Sequence, residues 1–403
     1  MSPQNNIDSS AFVLHFPDAV RIAGESVQGR VELNVALAQD EGIENLDVYL
    51  RGYIVTTIIE NNFDGSDTRH EREIELINFS KLLWARGTAF PDPGSHLLDL
   101  PFKFQLPVSL PPSFHLSVIN HEATIQYIVE VVGSRPGRFR RDNVVHQIFP
   151  VLPAASPEQV VARKSLKKGW HGAWTAVSVE RKIRQGIWGD HAHARAKVKI
   201  PELESFPRAT PVPISLYIET RTKPMALTAI PADKYNKPLF PAPPTHSAEV
   251  KLFFEREASI RTWRKSAVVA DTFPTRSVFG DLNTSVDADV EAAQWIPDPE
   301  RKDYGVWKRS ARFDTTVTLP FAPTFSTETI DSKYFLHFQL SFPGMGNDLE
   351  LHVPISLHPA HTCPSFALNY ADVPPEGTPP LRLIDELPPP AYSIEHLIAQ
   401  AGL

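Results

Sequence analysis

Along most of the chain, apolar and polar residues alternate one by one, a pattern typical of strands with one buried face. Prolines and glycines separate the runs, as at 91–94 and 343–346. Many short strands of this kind predict an all-β fold of two tandem antiparallel β-sandwich domains, of the immunoglobulin-like sandwich class. The apolar members of the clearest runs are Val31, Leu33 and Val35; Leu46, Val48 and Leu50; Ile125, Tyr127, Val129 and Val131; Val212, Ile214, Leu216 and Ile218; Val250, Leu252 and Phe254; Tyr334, Leu336, Phe338 and Leu340; and Leu349, Leu351, Val353, Ile355 and Leu357.

The length of 403 residues favours two domains over one. A strand-like run at 144–149 ends at prolines, and a polar, basic connector follows it. A helix is predicted at 156–166, because Ser156 is suited to capping it, Pro157 to its first position and Gln159 to a capping box. Two polar stretches, 221–246 and 264–308, are interpreted as loops or partly disordered insertions. The predicted parts are a first domain at 8–153, a basic connector at 154–169, a second domain at 170–360 and a Pro-rich disordered tail at 361–403.

The composition is that of a soluble globular protein, with 42% hydrophobic and 22% charged residues. Cys363 is the single cysteine, so an intramolecular disulfide and a Cys-rich zinc site are excluded and a reducing compartment is favoured. Residues 1–10 lack the pattern of a secretory signal, and no apolar run approaches the ~20 residues that span a bilayer. We expect a cytoplasmic protein that is recruited peripherally to the plasma membrane or endosomes.

Positive charge is concentrated between residues 135 and 199. This segment has fourteen Lys and Arg against four Asp and Glu, a net charge of +10 in a chain of net charge −7. In the run 191–200, basic residues alternate with alanine and aliphatic residues, which predicts a strand with one wholly basic face. Such a surface favours acidic or phosphorylated cargo, or an anionic membrane, and the alternative is a solvated face that balances the acidic remainder. The candidate residues are Arg135, Arg138, Arg140, Arg141, Arg163, Lys164, Lys167, Lys168, Arg195, Lys197 and Lys199.

A short proline motif stands near the C-terminal end of the sequence. The residues are Leu387, Pro388, Pro389, Pro390, Ala391 and Tyr392, which include the Pro-Pro-x-Tyr pattern that WW domains bind. Consecutive prolines favour a polyproline II helix, so little conformational entropy is lost when aromatic rings clasp it. The surrounding segment from residue 361 has eight prolines and five acidic residues against one basic residue, so it is expected to stay unfolded and expose the motif.

Signatures of catalysis and cofactor binding are weak. His70-Glu71 and His121-Glu122 begin like a zinc-protease motif but lack the second histidine four residues on. His191 and His193 would share a strand face, yet a pair without a third ligand is more often a surface feature. No nucleophile elbow, phosphate loop or dinucleotide fingerprint is present. We therefore predict no enzyme, no cofactor and no metal, and the absence of interleaved aromatics in the basic run argues against nucleic acid.

Four stretches resemble the α-arrestins, also called arrestin-related trafficking adaptors. They are 27–31 (Val-Gln-Gly-Arg-Val), 100–114 (with Leu-Pro-Phe-Lys-Phe-Gln-Leu-Pro and then Leu-Pro-Pro-Ser-Phe), 125–131 and 334–357. The likeness spans about residues 10–360 and is strongest in the first domain. A C-terminal Pro-Pro-x-Tyr is also a habit of that family, although members often carry two and this chain has one.

The resemblance implies an adaptor that brings a WW-domain HECT-type ubiquitin ligase to membrane cargo. In that interpretation Pro389, Pro390 and Tyr392 engage the ligase, the sandwiches engage the cytoplasmic tails of transporters or receptors, and lysines near the domain junction accept ubiquitin. Two alternatives stay open. One is a ligase-independent sorting scaffold similar to the arrestin-like subunit of retromer, and the other is a signalling arrestin that senses phosphorylation through a buried charged cluster, which spacing alone does not identify.

Overall fold

The computed structural model describes residues 10–63, 65–137, 141–184, 191–227, 240–274, 279, 287–301 and 303–359. Strands dominate these residues and form two sandwich-like halves, each built around its own apolar cluster. The all-β class and the two sandwiches that the alternation predicted are confirmed. None of the helices in the described ranges has the length and apolar character needed to cross a bilayer.

In the first half, a sheet of three strands and a sheet of five share one core. The three strands run in the order β1-β3-β6, and the five in the order β5-β4-β8-β7 with β9 beside β8. The elements are β1 (Phe12–His15), β2 (Arg21–Ile22), β3 (Ser26–Asn34), α1 (Val35–Glu41), β4 (Asn45–Asn61), β5 (Asp67–Ala85), β6 (Leu97–Gln105), β7 (Phe114–Val118), β8 (His121–Ser134), β9 (Asn143–Phe149) and β10 (Val151–Leu152).

Sequence motifs of the first half meet across its sheets. Gly29 on β3 lies directly opposite Phe102 on β6, and a Cβ added at Gly29 would lie 2.5 Å from the Phe102 ring. Because no side chain fits there, glycine is required at that position. On β8 the fully buried Tyr127 donates its hydroxyl hydrogen bond to the Pro111 carbonyl at 2.7 Å, which fixes the proline-rich loop onto the sandwich.

In the second half, a sheet of seven strands and a sheet of five enclose the other core. The larger sheet has the order β11-β12-β14-β20-β15, with β18 and β19 also beside β20. The smaller has the order β17-β16-β22-β21, with β23 also beside β22. The elements are α2 (Pro157–Lys167), β11 (Trp174–Arg184), β12 (His191–Pro201), β13 (Phe206–Pro207), β14 (Pro211–Arg221), β15 (Met225–Ala226), a 3₁₀ turn (Ser247–Glu249), β16 (Val250–Arg261), β17 (Ser266–Pro274), β18 (Asp289–Val290), β19 (Gln294–Pro297), β20 (Tyr304–Thr318), β21 (Phe325–Ser326), β22 (Ile330–Leu340), β23 (Leu349–Ile355) and β24 (Leu357–His358).

The apolar members of the alternating runs of the second half are buried between these two sheets, as predicted. Phe254 on β16 stacks on Phe321 with ring centroids 3.9 Å apart and lies 4.9 Å from Tyr334 on β22. Burying side chains of this size removes large apolar areas from water, so these aromatic contacts stabilise the second half.

Each half closes with a parallel pair of very short strands. In the first half β10 pairs with β2, joining Val151 to Arg21 and Leu152 to Ile22. In the second, β24 pairs with β13, joining Leu357 to Phe206 and His358 to Pro207. These two pairs are exceptions to the antiparallel prediction, and in each of them a late strand is fixed beside an early one.

Two predictions about local structure were wrong, and one was confirmed. Val35 begins α1 instead of extending β3, because Asn34 caps the helix through Leu37 N–H and Gly42 ends it in the left-handed conformation. The stretch 264–308 is not a loop throughout: it contains β17, β18, β19 and the start of β20, and β17 forms a hairpin with β16. The predicted helix is α2, with Ser156 and Gln159 forming the capping box.

The two halves make direct contact. Ala258, Ile260, Phe325 and Ile330 of the second half belong to the apolar cluster of the first. The Phe114 ring on β7 meets that of Phe325 edge-on, with centroids 5.0 Å apart. The apolar core of the first half therefore continues into the second half, and this continuity favours a fixed arrangement of the two halves.

Candidate binding surfaces

The exposed face of β12 has the basic alternation that its sequence predicted. Ala192, Ala194, Ala196 and Val198 are buried in the core of the second half. The alternate positions point outward and carry charge or imidazole. They are His191, His193, Arg195, Lys197 and Lys199.

Neighbouring strands widen this basic face. Register places Lys182 and Arg184 of β11 opposite His193 and His191, and Arg221 of β14 opposite His193 on its other side. On β20, Lys308 and Arg312 continue the rows. Glu180, Glu219 and Asp314 are the acidic residues on these strands, and Asp289 of β18 lies opposite Arg312. The basic sheet face, as we call this outward surface of β11, β12, β14 and β20, is thus cationic on balance and spans four strands.

An aromatic ring, that of Tyr217, contacts two cations on the basic sheet face. Tyr217 on β14 lies opposite Lys197, with the Lys199 ammonium 4.9 Å and the Arg312 guanidinium 5.1 Å from its ring centroid. These cation–π contacts already hold the side chains of Lys199 and Arg312 over the sheet. Less side-chain conformational entropy is therefore lost when an anion binds there.

The predicted basic residues of the connector lie on α2, a different element. Arg163, Lys164, Lys167 and Lys168 occupy its second half and C-cap, where cations interact favourably with the helix dipole. Leu166 anchors this helix in the core of the second half. This helix packs against β13 and β14, and one contiguous patch of all the candidates stays a prediction.

Two candidates of the first half, Arg135 and Arg141, lie between β8 and β9. Arg135 donates from Nε to the Arg141 carbonyl at 2.7 Å, and its backbone N–H donates to Asp142 at 2.9 Å. Arg135 is therefore committed in part to shaping the hairpin. Arg138 and Arg140 lie outside the described residues, as does the whole tail motif with Leu387, Pro388, Pro389, Pro390 and Tyr392.

His191 and His193 have partners other than a metal. An Arg184 nitrogen lies 2.7 Å from His191 Nε2, and Glu180 Oε1 lies 3.4 Å from His193 Nδ1. A guanidinium this close repels a cation, so the arrangement does not suit a metal ion at this pair.

A groove of about 670 Å³ runs beside β1, an edge strand of the three-stranded sheet. Its lining includes His15, Phe16, Pro101 and the ion pair between Arg30 and Asp99, whose charged atoms are 3.0 Å apart. An edge strand beside a groove can pair with an extended peptide through its backbone and accept alternate side chains in the groove.

A charged cluster that sequence reasoning missed lies where the halves meet. Arg256 on β16 forms an ion pair with Asp271 on β17 at 2.5 Å, and their side chains are only 15% and 22% exposed. The guanidinium also lies 5.1 Å from the Phe114 ring of the first half and 5.4 Å from that of Phe273. Arg256 therefore touches both halves while its charge is neutralised within the second.

Further polar contacts join the two halves. Thr56 donates to the Arg261 carbonyl at 2.9 Å, and Lys265 pairs with Glu60 at 3.0 Å. Arg72 pairs with Glu328, and its guanidinium lies 4.0 Å from the Trp263 ring. The boundary between the halves thus combines buried apolar contacts with charge pairs.

Comparison with known protein families gives a match over one part of the chain. Residues 11–155 match the family model described as arrestin (or S-antigen), N-terminal domain. The matched range begins one residue before β1 and ends three residues after β10, so it coincides with the first sandwich-like half. Proteins of the arrestin family are generally not enzymes. The first sandwich-like half of this chain is therefore similar in sequence to an arrestin N-terminal domain.

Proposed function

We propose that this protein is a non-enzymatic adaptor that recruits a WW-domain HECT-type ubiquitin ligase to membrane cargo and so promotes ubiquitination and endocytosis or sorting. The observation that carries the proposal is the run Leu387–Tyr392, placed on the same chain as a domain similar in sequence to an arrestin N-terminal domain. A binding domain with an attached partner motif has the composition of an adaptor, which needs no catalytic group of its own.

The ligase side of the proposal depends on Pro389, Pro390 and Tyr392. Prolines of a polyproline II helix fit between aromatic rings of a WW domain, and the tyrosine fills a neighbouring pocket and sets the direction of the chain. A single motif forgoes the gain of linked binding, so we expect an affinity set by one WW domain alone.

The cargo side depends on the sandwiches. Acidic or phosphorylated cytoplasmic tails of transporters or receptors are suited to the basic sheet face, where Lys197 and Lys199 flank Tyr217 on exposed strands. An anionic membrane surface would add to the same attraction and hold the adaptor beside its cargo. The proposed location is accordingly the cytoplasm, with peripheral recruitment to plasma membrane or endosomes.

The proposal is tested by calorimetric titration of the full chain with WW domains of HECT-type ligases. We expect a dissociation constant on the order of micromolar, and heats too small to fit for Tyr392→Ala. Tyr370→Ala is the matched control, because Tyr370 is also in the predicted tail but follows no proline pair; it should bind like the parent chain. Equal binding by both variants would contradict the assignment of the motif, and no binding by the parent would favour a ligase-independent sorting scaffold.

Phosphorylation of Tyr392 offers a second, independent readout. A phosphate adds nearly two negative charges and would place them in an apolar tyrosine pocket, so the WW domain should be released. Peptides spanning residues 381–403, with and without phosphate at Tyr392, are compared by the same titration. Equal affinities would show that the tyrosine does not enter such a pocket.

A further inference from the structure

Three side chains with metal-binding atoms meet on the outward face of the five-stranded sheet of the second half. Glu255 is on β16, His337 on β22 and His352 on β23, so they come from three adjacent strands. One ligand atom from each lies within 4.8 Å of the other two. Neither histidine was among the candidates that the sequence indicated.

Strand register brings these groups together. His337 lies directly opposite His352, and their rings stack with centroids 4.1 Å apart and an interplanar angle of 22°. Glu255 lies on the other side of β22, and its Oε2 is 3.9 Å from His352 Nδ1. Opposite positions in an antiparallel pair are the closest cross-strand neighbours, so small side-chain rotations are enough to aim both imidazoles at one ion.

The surroundings keep a nitrogen of His337 available. Its Nε2 is buried, and no described residue forms a hydrogen bond with that atom. Phe253 lies opposite His337 on β16, with ring centroids 6.1 Å apart, and covers its other side from water. Burial disfavours a positive charge on this imidazole and so lowers the pKa of His337.

Access and charge also suit a cation. The side chains of His352 and Glu255 are 49% and 24% exposed, so an ion can enter from solvent at this side. The carboxylate of Glu255 contributes a negative charge, and Glu350 lies near enough to His337 to affect its pKa. At the other histidine pair, an Arg184 nitrogen lies against His191, whereas the contacts given for His337 and His352 are with Phe253, with Glu255 and with each other.

We propose that Glu255, His337 and His352 form a binding site for a divalent transition-metal ion of the zinc class. Two imidazole nitrogens and one carboxylate oxygen are the donor set that zinc accepts, whereas calcium and magnesium prefer oxygen donors throughout. Three protein ligands leave a fourth position of a tetrahedral site open to water or to a side chain of a bound partner.

A metal ion at this position would cross-link three adjacent strands of the sheet. β23 pairs only with β22 among the strands that the structure describes, so it forms an edge of the sheet. An ion held by Glu255, His337 and His352 would connect that edge to β16 across the strand between them. Binding to the folded chain alone stabilises it by mass action, so the ion should raise the unfolding temperature.

The test uses the full chain after treatment with a chelator and its removal. Zn²⁺ is titrated by calorimetry, and Co²⁺ is added separately because its visible absorption reports low coordination number with nitrogen ligands. The variants are His352→Ala and Glu255→Gln, whose side chains are partly exposed and whose loss leaves the core intact. The double variant His191→Ala/His193→Ala is the matched control, since it removes two histidines from the other sheet.

We expect a Zn²⁺ site with affinity that falls by about tenfold or more in each ligand variant and is unchanged in the matched control. At a hundredfold excess of Zn²⁺ over its dissociation constant, the unfolding temperature should rise by about 5 °C in the parent chain and the control only. Mg²⁺ should have neither effect. Circular dichroism at 25 °C identifies any variant that fails to fold, and His352→Gln then replaces His352→Ala.

Absence of Zn²⁺ binding in the parent chain, or equal binding after loss of His352 and Glu255, would overturn the proposal. Loss of binding in the matched control alone would assign the ion to β12 and overturn it as well. The test does not involve Tyr392 or a WW domain, so its failure and the failure of the proposed adaptor function are distinguishable.

Discussion

The two sheets of the second half are alike on their inner faces and different on their outer ones. Inside, both present alternating aliphatic and aromatic residues to one core. Outside, the seven-stranded sheet has rows of Lys and Arg around Tyr217, whereas the five-stranded sheet has paired imidazoles beside carboxylates. The inner faces specify the sandwich and the outer faces specify chemistry, so the same fold offers one surface suited to anions and another suited to a cation.

The largest expected effect tests the distinction between inner and outer faces on a single strand. Phe254→Ala should lower the free energy of unfolding by about 3–5 kcal/mol, because a fully buried ring stacked on Phe321 is lost and a cavity remains. Phe253→Ala changes the same residue type one position away, on the half-buried outer face, and should cost far less. Urea unfolding followed by circular dichroism measures both, and equal losses would contradict the assignment of faces.

A second experiment probes the point where the inner face of β16 leaves the core and meets the first half. Arg256→Ala should destabilise the fold by about 3 kcal/mol, because Asp271 is left as a largely buried carboxylate without its partner. Replacing both residues, as Arg256→Met with Asp271→Leu, should recover most of that loss. If the double variant is as unstable as Arg256→Ala, the contacts of Arg256 with Phe114 matter more than the ion pair.

The chemical difference between the outer faces is tested by reversing charge. Arg195→Glu, Lys197→Glu and Lys199→Glu together should weaken binding to phosphatidylserine-containing vesicles by about 100-fold, since each basic residue near an anionic surface contributes about 1 kcal/mol. Lys103→Glu, Lys251→Glu and Lys333→Glu make the same change in net charge at exposed positions outside the basic sheet face. Sedimentation at low salt compares the two variants, and equal weakening would show that net charge alone governs binding.

The smallest expected effect concerns His358, which lies on β24 in the short parallel pair of β13 and β24. Burial lowers the pKa of His358, Arg163 adds to this, and backbone groups of Gln159 and Ser205 oppose it. Below a pH of about 6.5 the unfolded chain therefore binds more protons at this residue than the folded chain does. Stability should fall as the pH decreases through that value.

His358→Gln removes this contribution, so its free energy of unfolding should decline less between pH 7 and pH 5 than that of the parent chain. Urea unfolding at each pH in the presence of a chelator gives the comparison, and His146→Gln on exposed β9 serves as the control. A parallel decline in His358→Gln and the parent would assign the pH dependence to other groups.

Inner faces could be predicted from the sequence because burial imposes a period of two on each strand. Side chains that meet on an outer face can be predicted only when the pairing register of the strands is known. For one hairpin the sequence itself gives that register. His337 lies six residues before Pro343, and His352 lies six residues after Gly346. Counting equally outward from the turn 343–346 pairs the two histidines, so the predicted hairpin already contained the stacked pair.

Elsewhere a missed strand leaves a charge pair unpredicted. A loop over 264–308 leaves no strand beside β16 for Asp271, so the pairing of Arg256 with Asp271 does not follow from the predicted elements. Likewise the alternation of apolar residues predicts a strand at Val35, although Asn34 and Gly42 are suitable end signals for a short helix. The contacts of Arg256 with Phe114 connect residues far apart in sequence, and no local pattern indicates them.

The parallel pairing of β24 with β13 also determines where the tail can travel. It fixes His358 beside Gln159 and Arg163 of α2, so the chain leaves the second half next to a helix with Lys164 and Lys167. Thirty-four residues from Pro359 to Tyr392 follow, and in any conformation they reach at most about 120 Å. A partner protein bound at Tyr392 therefore stays within that distance of α2 on the same molecule. Its rate of encounter with Lys164 and Lys167 is set by the length of the tail and not by the concentration of either protein in solution.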